Sequence, residues 1–125
     1  MFTGVAKLEY HSSWLVANIE DDVLEYYRWW FYRRYLVKLA KPRWCAHISV
    51  IRGSEEEVPS LFLFENERKN KEVKFQYSNK LEQHPKGYVW MPCWGCQLED
   101  VREECGFPRS PIMPFHMTVG VSNLL

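Results

Sequence analysis

His47-Ile48-Ser49-Val50 and His116-Met117-Thr118-Val119 are the two phrases on which the fold turns. They stand 69 residues apart (116 − 47), and each runs histidine, apolar residue, hydroxyl residue, apolar residue. Such a run reads as a strand with one polar face. Successive side chains of a strand leave on opposite faces, so the histidine and the hydroxyl point one way and the two apolar residues the other. One copy carries little information. A pair supplies a proton acceptor, a proton donor and two hydroxyls for non-bridging oxygens, the inventory of an in-line phosphoryl displacement.

Outward from these phrases, the pattern predicts strands at Gly4 to Tyr10, where Val5, Lys7 and Glu9 interleave with Ala6, Leu8 and Tyr10, and at Trp14 to Ile19, with His11-Ser12-Ser13 turning between them. Asp21 and Asp22 offer N-terminal acids ahead of the helical stripe Val23, Leu24, Tyr27, Trp30 and Phe31. This predicts a helix from about Asp21 to about Lys38, stopped before Lys41-Pro42 because the residue ahead of a proline avoids helical geometry. The first motif strand is expected over Trp44 to Arg52, followed by a turn or helix start at Gly53 and Ser54 to Glu57. Pro59 to Phe64 is apolar and ambiguous, and Glu65 to Lys71 reads as a charged, solvated connection.

The second half repeats the order. Strands are expected at Glu72 to Ser78 and Tyr88 to Cys93, with Gln83 to Gly87 turn-like between them. A short helix follows over Gln97 to Cys105, with Leu98, Val101 and Cys105 inward and Gly106 as its stop. Pro108, Pro111 and Pro114 then force an extended approach to the last strand, Phe115 to Gly120. The outline is ββαβ, a connection, ββαβ. The chain is therefore expected to be one α+β domain spanning residues 1–125, with similar halves of about 1–65 and 66–125.

Composition narrows the partners. The 125 residues carry 16 basic and 16 acidic side chains, so no global field draws a long nucleic acid by counterion release. A small nucleotide needs only a local site. Aromatics make up 16% of the chain, six of them Trp, a supply that fills a core and spares rings for stacking on bases. There is no signal-peptide core and no apolar run of about 18 residues or more, so neither a membrane partner nor a membrane span is expected. The four cysteines are Cys45, Cys93, Cys96 and Cys105. Cys93-Trp94-Gly95-Cys96 has CxxC spacing, which admits zinc or redox chemistry, but no second pair completes a zinc set and ordinary reduced thiols in a cytoplasm are the expected state.

The paired His-x-Ser and His-x-Thr phrases resemble the signatures of the 2H phosphoesterase superfamily. Lys41-Pro42-Arg43-Trp44 leading into His47-Ile48-Ser49-Val50-Ile51-Arg52, the Val73 to Ser78 strand, and Val101 to Pro108 ahead of Pro114-Phe115-His116 are similar to the phage anti-CBASS nucleases of that superfamily. The resemblance covers nearly the whole chain. It implies a two-lobed fold whose antiparallel sheets line a central cleft with helices outside. It implies a metal-independent phosphodiesterase, without cofactors, that opens 3′–5′ linked cyclic di- or oligonucleotide signals such as 3′,3′-cGAMP in the bacterial host cytoplasm during phage infection. Ser49 stands where many relatives have Thr, which keeps the hydroxyl and loosens its χ1 preference.

On this reading His47 and His116 are the acid–base pair, in an order the sequence leaves open, and Ser49 and Thr118 hold the phosphoryl oxygens. Tyr10, Tyr77 and Trp90 are candidates for base stacking, with Trp14 a weaker one, and Arg52 and Arg109 are candidates for phosphate. Arg28, Arg33, Arg34, Lys38 and Lys41 are expected on a solvated helix face, Trp29, Trp30 and Phe31 in the core, and His11 and His84 as exposed bystanders. Two alternatives from other branches stay open: an RNA-processing 2′,3′-cyclic phosphodiesterase and a cyclic-nucleotide sponge that binds without cutting.

Overall fold

The computed structural model describes residues 1–11, 14–52 and 70–122. Its elements are β1 (Phe2–His11), β2 (Trp14–Asn18), α1 (Asp21–Tyr35), β3 (His47–Ile51), β4 (Glu72–Tyr77), β5 (Glu82–Gln83), β6 (Tyr88–Trp94), α2 (Cys96–Glu104) and β7 (His116–Val121). The fold class is α+β. The strands pair antiparallel in the order β4-β1-β2-β3-β7-β6-β5, and a further β4–β6 pairing joins the ends, so six strands form a closed ring with β5 hanging from β6.

The ring has an internal order. Starting at the β1–β4 seam and reading outward in either direction, the chain passes the first, second and last main strand of each half and meets itself at β3–β7. At that far seam Ile48 is paired with Met117, the residues that follow the two motif histidines. The motif strands therefore run antiparallel with their two phrases side by side.

Burial fixes which face is which. Ile48, Val50, Met117 and Val119 are all at most 1% exposed, and they share one core with Leu24, Tyr27 and Phe31 of α1 and Leu98 and Val101 of α2. His47, Ser49, His116 and Thr118 alternate with them and are all half-buried. The helices thus cover the apolar face of the motif strands and leave the polar face to the site.

Several element bounds differ from the sequence expectation. Helix α1 ends at Tyr35, not near Lys38: Leu36 takes the left-handed conformation (φ 58°) and its N–H bonds the Tyr32 carbonyl. With leucine rather than glycine at this turn, the sequence carries no stop signal there. Helix α2 stops where its glycine indicates: Gly106 has φ 88°, its N–H bonds the Glu103 carbonyl, and the Phe107 N–H bonds the Arg102 carbonyl, a Schellman closure. Strand β3 begins at His47 and leaves Trp44 exposed, because the Ala46 N–H is taken by the Asp21 carboxylate. Gln83, expected in a turn, pairs with Val89 through β5. The readings made for Ser12-Ser13, Gly53 to Glu57, Pro59 to Phe64 and Glu65 to Lys69 lie outside the described residues. Among the described residues no helix is long and apolar enough to cross a membrane.

The connection from α1 to β3 also belongs to the sheet. Ala40 exchanges two backbone hydrogen bonds with Val121, and Leu39 packs so closely that a Cβ on Gly120 would lie 2.7 Å from its Cβ and 2.9 Å from the Ala40 carbonyl oxygen. In an unobstructed strand, alanine in place of glycine gains roughly 0.5–1 kcal/mol. Here the close approach reverses the sign, and Gly120→Ala is expected to lower stability by about 1–3 kcal/mol in denaturant melts, the usual cost of overpacking. A stabilised variant would show that the connector does not sit on this strand.

Candidate active site

Each motif histidine is tethered in the same way. The His47 ring places Nδ1 2.6 Å from the Cys45 carbonyl oxygen, and the His116 ring places Nδ1 2.9 Å from the Pro114 carbonyl oxygen. A carbonyl only accepts, so Nδ1 carries the proton in both rings and each Nε2 is left to exchange protons with a ligand. The approaches match as well. The Ile19 N–H bonds the Ala46 carbonyl and the Cys93 N–H bonds the Phe115 carbonyl, in each case the residue just before the histidine.

Register places the two rings beside one another. The antiparallel Ile48↔Met117 pair sets His47 alongside Thr118 and Ser49 alongside His116. At this separation the charge of His47 reaches His116. Burial is the main cause holding His116 below the ordinary histidine range; the Pro114 carbonyl opposes it, and the positive charges of Arg52 and His47 add to it. His116 therefore stays neutral to lower pH than an ordinary histidine.

Arg52 owes its place to a bulge. Val16 pairs with Ser49 while Leu15 pairs with Ile51, so Val50 is an extra residue in β3. The bulge turns both Val50 and Ile51 into the core and returns Arg52 to the face of His47 and Ser49. Strict alternation over the three residues from Ser49 would have put it on the other side. Its guanidinium carbon lies 5.3 Å from the centre of the Trp14 ring, a cation–π contact, and its charge is felt at His116.

Of the three stacking candidates, one reaches this face. Trp90 pairs with Thr118, and its ring centre lies 5.5 Å from that of His116, edge to face. Tyr10 and Tyr77 instead fall in the alternation of the core face and, half-buried, pack against the core. Tyr10 lies opposite the fully buried Leu15, while Tyr77 stacks on Phe2 (5.4 Å between ring centres) and meets the edge of Tyr27. Two further residues share the polar face by register and escaped the sequence reading. Asn18 lies opposite His47 and donates its amide to Glu9, and Pro92 lies opposite His116.

Other readings resolve away from the site. Arg109 pairs with Asp100 (2.7 Å), Glu99 and Glu103 along α2. Arg28 leaves the expected solvated face to donate to the Val119 carbonyl at 2.9 Å, whereas Arg33 and Arg34 lie over Trp29 and Trp30. Trp29 is exposed, Trp30 half-buried and Phe31 in the core. His84 is exposed. The Cys93 thiol is buried against the Met91 carbonyl, and burial pushes it up to about 12, which makes it a poor thiolate, while Cys96 is exposed at the start of α2. Concavities of about 380 and 330 Å³ lie elsewhere, the first beside Trp30, Arg34 and Lys80 and the second beside Glu72, Asp100 and Glu104. The candidate site therefore rests on its chemistry and not on an enclosed cavity.

Comparison of the chain with family models, with curated proteins and with solved structures gives no match.

The His116 environment is open to a direct check. Arg52→Gln removes one of the two charges that hold His116 down, so its imidazole titration, followed by NMR, is expected to move up towards the ordinary histidine value of about 6.5. An unmoved His116 titration would place the guanidinium out of reach of the ring.

Proposed function

We propose that this protein is a metal-independent phosphodiesterase that opens 3′–5′ linked cyclic di- or oligonucleotides by attack of the ribose 2′-hydroxyl. The observation that carries the reading is the pair of histidines held by matching Nδ1–carbonyl tethers on one face of two adjacent antiparallel strands, each with a hydroxyl two residues on. Such an arrangement presents two Nε2 atoms and two O–H donors to one phosphate. The ring of strands serves on this reading as two lobes, helices on the apolar side and ligand on the other.

The roles follow from the environments. His116, held neutral by burial and by Arg52, takes the proton of the 2′-hydroxyl as the 2′-oxygen bonds to phosphorus. His47 in its protonated form gives a proton to the 5′-oxygen as the P–O5′ bond breaks. Ser49 and Thr118 donate hydrogen bonds to the non-bridging oxygens, where charge grows in the transition state, and Arg52 supplies a positive charge beside them. The product is a linear nucleotide ending in a 2′,3′-cyclic phosphate. The same pair with water as nucleophile converts that end to a 3′-phosphate. Trp90, at the edge of His116, is the ring placed to stack on a base. In a phage-infected bacterial cytoplasm such an activity would remove the cyclic nucleotide signal of CBASS immunity.

The test is incubation of the protein in excess EDTA with a panel of 3′,3′-cyclic dinucleotides and one linear RNA, beside His47→Ala and His116→Ala. Ring opening by the parent and its loss in both variants is expected, with Ser49→Ala and Thr118→Ala slower by about 10²-fold or more, the typical cost of one oxyanion donor. Tight binding without cleavage would make the protein a sponge. Cutting of the linear RNA alone would make it an RNA-processing enzyme. The pH profile of kcat/KM is expected to be bell-shaped, and the depressed His116 places its acid limb below the ordinary histidine value of about 6.5. A rate that climbs steadily with pH would exclude the paired acid–base roles.

A further inference from the structure

Strand β3 is not alone in carrying a bulge. In β7, Thr118 pairs with Trp90 and Gly120 with Val89, so Val119 is the extra residue, as Val50 is in β3. The two bulges fall at the same place in the two phrases, immediately after the hydroxyl residue. Both strands show the same burial order, half-buried and buried in alternation and then two buried residues in succession. A bulge disrupts the local ladder and leaves the carbonyl of the extra residue in need of another donor.

In each strand that donor is an arginine from the helix of the opposite half. Arg28 of α1 donates from Nη1 to the Val119 carbonyl at 2.9 Å, and Arg102 of α2 donates from Nη1 to the Val50 carbonyl at 2.9 Å. Arg102 is 1% exposed, the largest fully buried side chain among the described residues. Its Nε donates to the Pro108 carbonyl at 2.7 Å, and its guanidinium carbon lies 5.6 Å from the Phe107 ring centre. The Schellman closure of α2 is what brings Phe107 and Pro108 back to it.

We infer that Arg28 and Arg102 are positioning residues, crossed between the halves, that hold the two bulges and so set the aim of Ser49, Thr118 and Arg52 relative to the histidine pair. This deepens the phosphodiesterase reading and rests on it for its catalytic consequence. The geometric part stands by itself. Arg102 fixes the carbonyl between Ser49 and Arg52, so it determines the phase with which Arg52 returns to the site. Arg28 fixes the Val119 carbonyl, on the residue that follows Thr118. Lysine at either position keeps the charge and loses the planar fork of donors.

The experiment compares the parent with Arg28→Lys and Arg102→Lys by circular dichroism, by NMR titration of both imidazoles and by steady-state cleavage of a 3′,3′-cyclic dinucleotide. The charged groups facing His116 are Arg52 and His47, with Trp90 and Pro92 beside it from β6. In folded variants the His116 titration is expected to move up as burial and the Arg52 charge relax. kcat is expected to fall on the order of tenfold to a hundredfold with KM nearly unchanged, the effect of a small misplacement of reacting groups. Folded variants with parental imidazole titrations and parental kcat would overturn the inference, whatever their loss of melting temperature. If Arg102→Lys does not fold, Arg28→Lys decides, because Arg28 is only half-buried. A parent without turnover counts against the phosphodiesterase reading, and the imidazole titrations then decide the positioning claim by themselves.

Discussion

The pairing of Ile48 with Met117 is the constraint on which the site depends. Both side chains are fully buried, and with Val50 and Val119 they form the part of the core that the two motif strands supply. Each such side chain contributes about 1.5–3 kcal/mol by leaving water. A slip of one residue in either strand would turn its apolar pair outward and bury an imidazole and a hydroxyl in their place. The resulting loss is comparable with the whole stability of a domain of this size, about 5–15 kcal/mol. Hydrophobic burial thus enforces a polar face on which both histidines and both hydroxyls emerge together.

Around that pair the structure repeats itself with a twist of connectivity. The backbone tether of each ring, the hydrogen bond to the residue before each histidine, and the bulge after each hydroxyl occur once per half. The helices, in contrast, act across the seam, each supporting the strand of the other half. The halves therefore cannot be set independently, since the phase of one motif strand depends on a helix encoded with the other. The symmetry breaks at the residue after the bulge pair. There β3 continues to Arg52, whose charge reaches His116, while the corresponding place in β7 is Val121, occupied in bonding Ala40. That one cation adds to the burial that holds His116 below the ordinary histidine range.

The elements and the polar face of the motif strands were legible in the sequence because short-range periodicity encodes them. Strand phase was legible too where it ran unbroken. The alternation of Ala6, Leu8 and Tyr10, and of Val73, Phe75 and Tyr77, already assigns both tyrosines to the apolar face. The bulges were not legible, since an extra residue in one strand is defined only against its partner, so the place of Arg52 could not be fixed from spacing. Closure of the ring through β1–β4 and β4–β6 is likewise a long-range pairing that no local pattern records. Arg28 looked like one cation on a solvated face, and only the Val119 carbonyl opposite it shows otherwise. The early end of α1 at a left-handed leucine is a tertiary outcome that overrides local preference.

The claim at the centre is that His47 and His116 work as one unit on a single phosphate. A double-mutant cycle on the cleavage rate of a cyclic dinucleotide measures this most directly, using His47→Ala, His116→Ala and the variant carrying both changes. Groups that act together are grossly non-additive, so the double variant is expected to be no slower than the slower single variant. Losses that multiply, or a single variant that keeps most of the parental rate, would mean that the two rings do not share a phosphate.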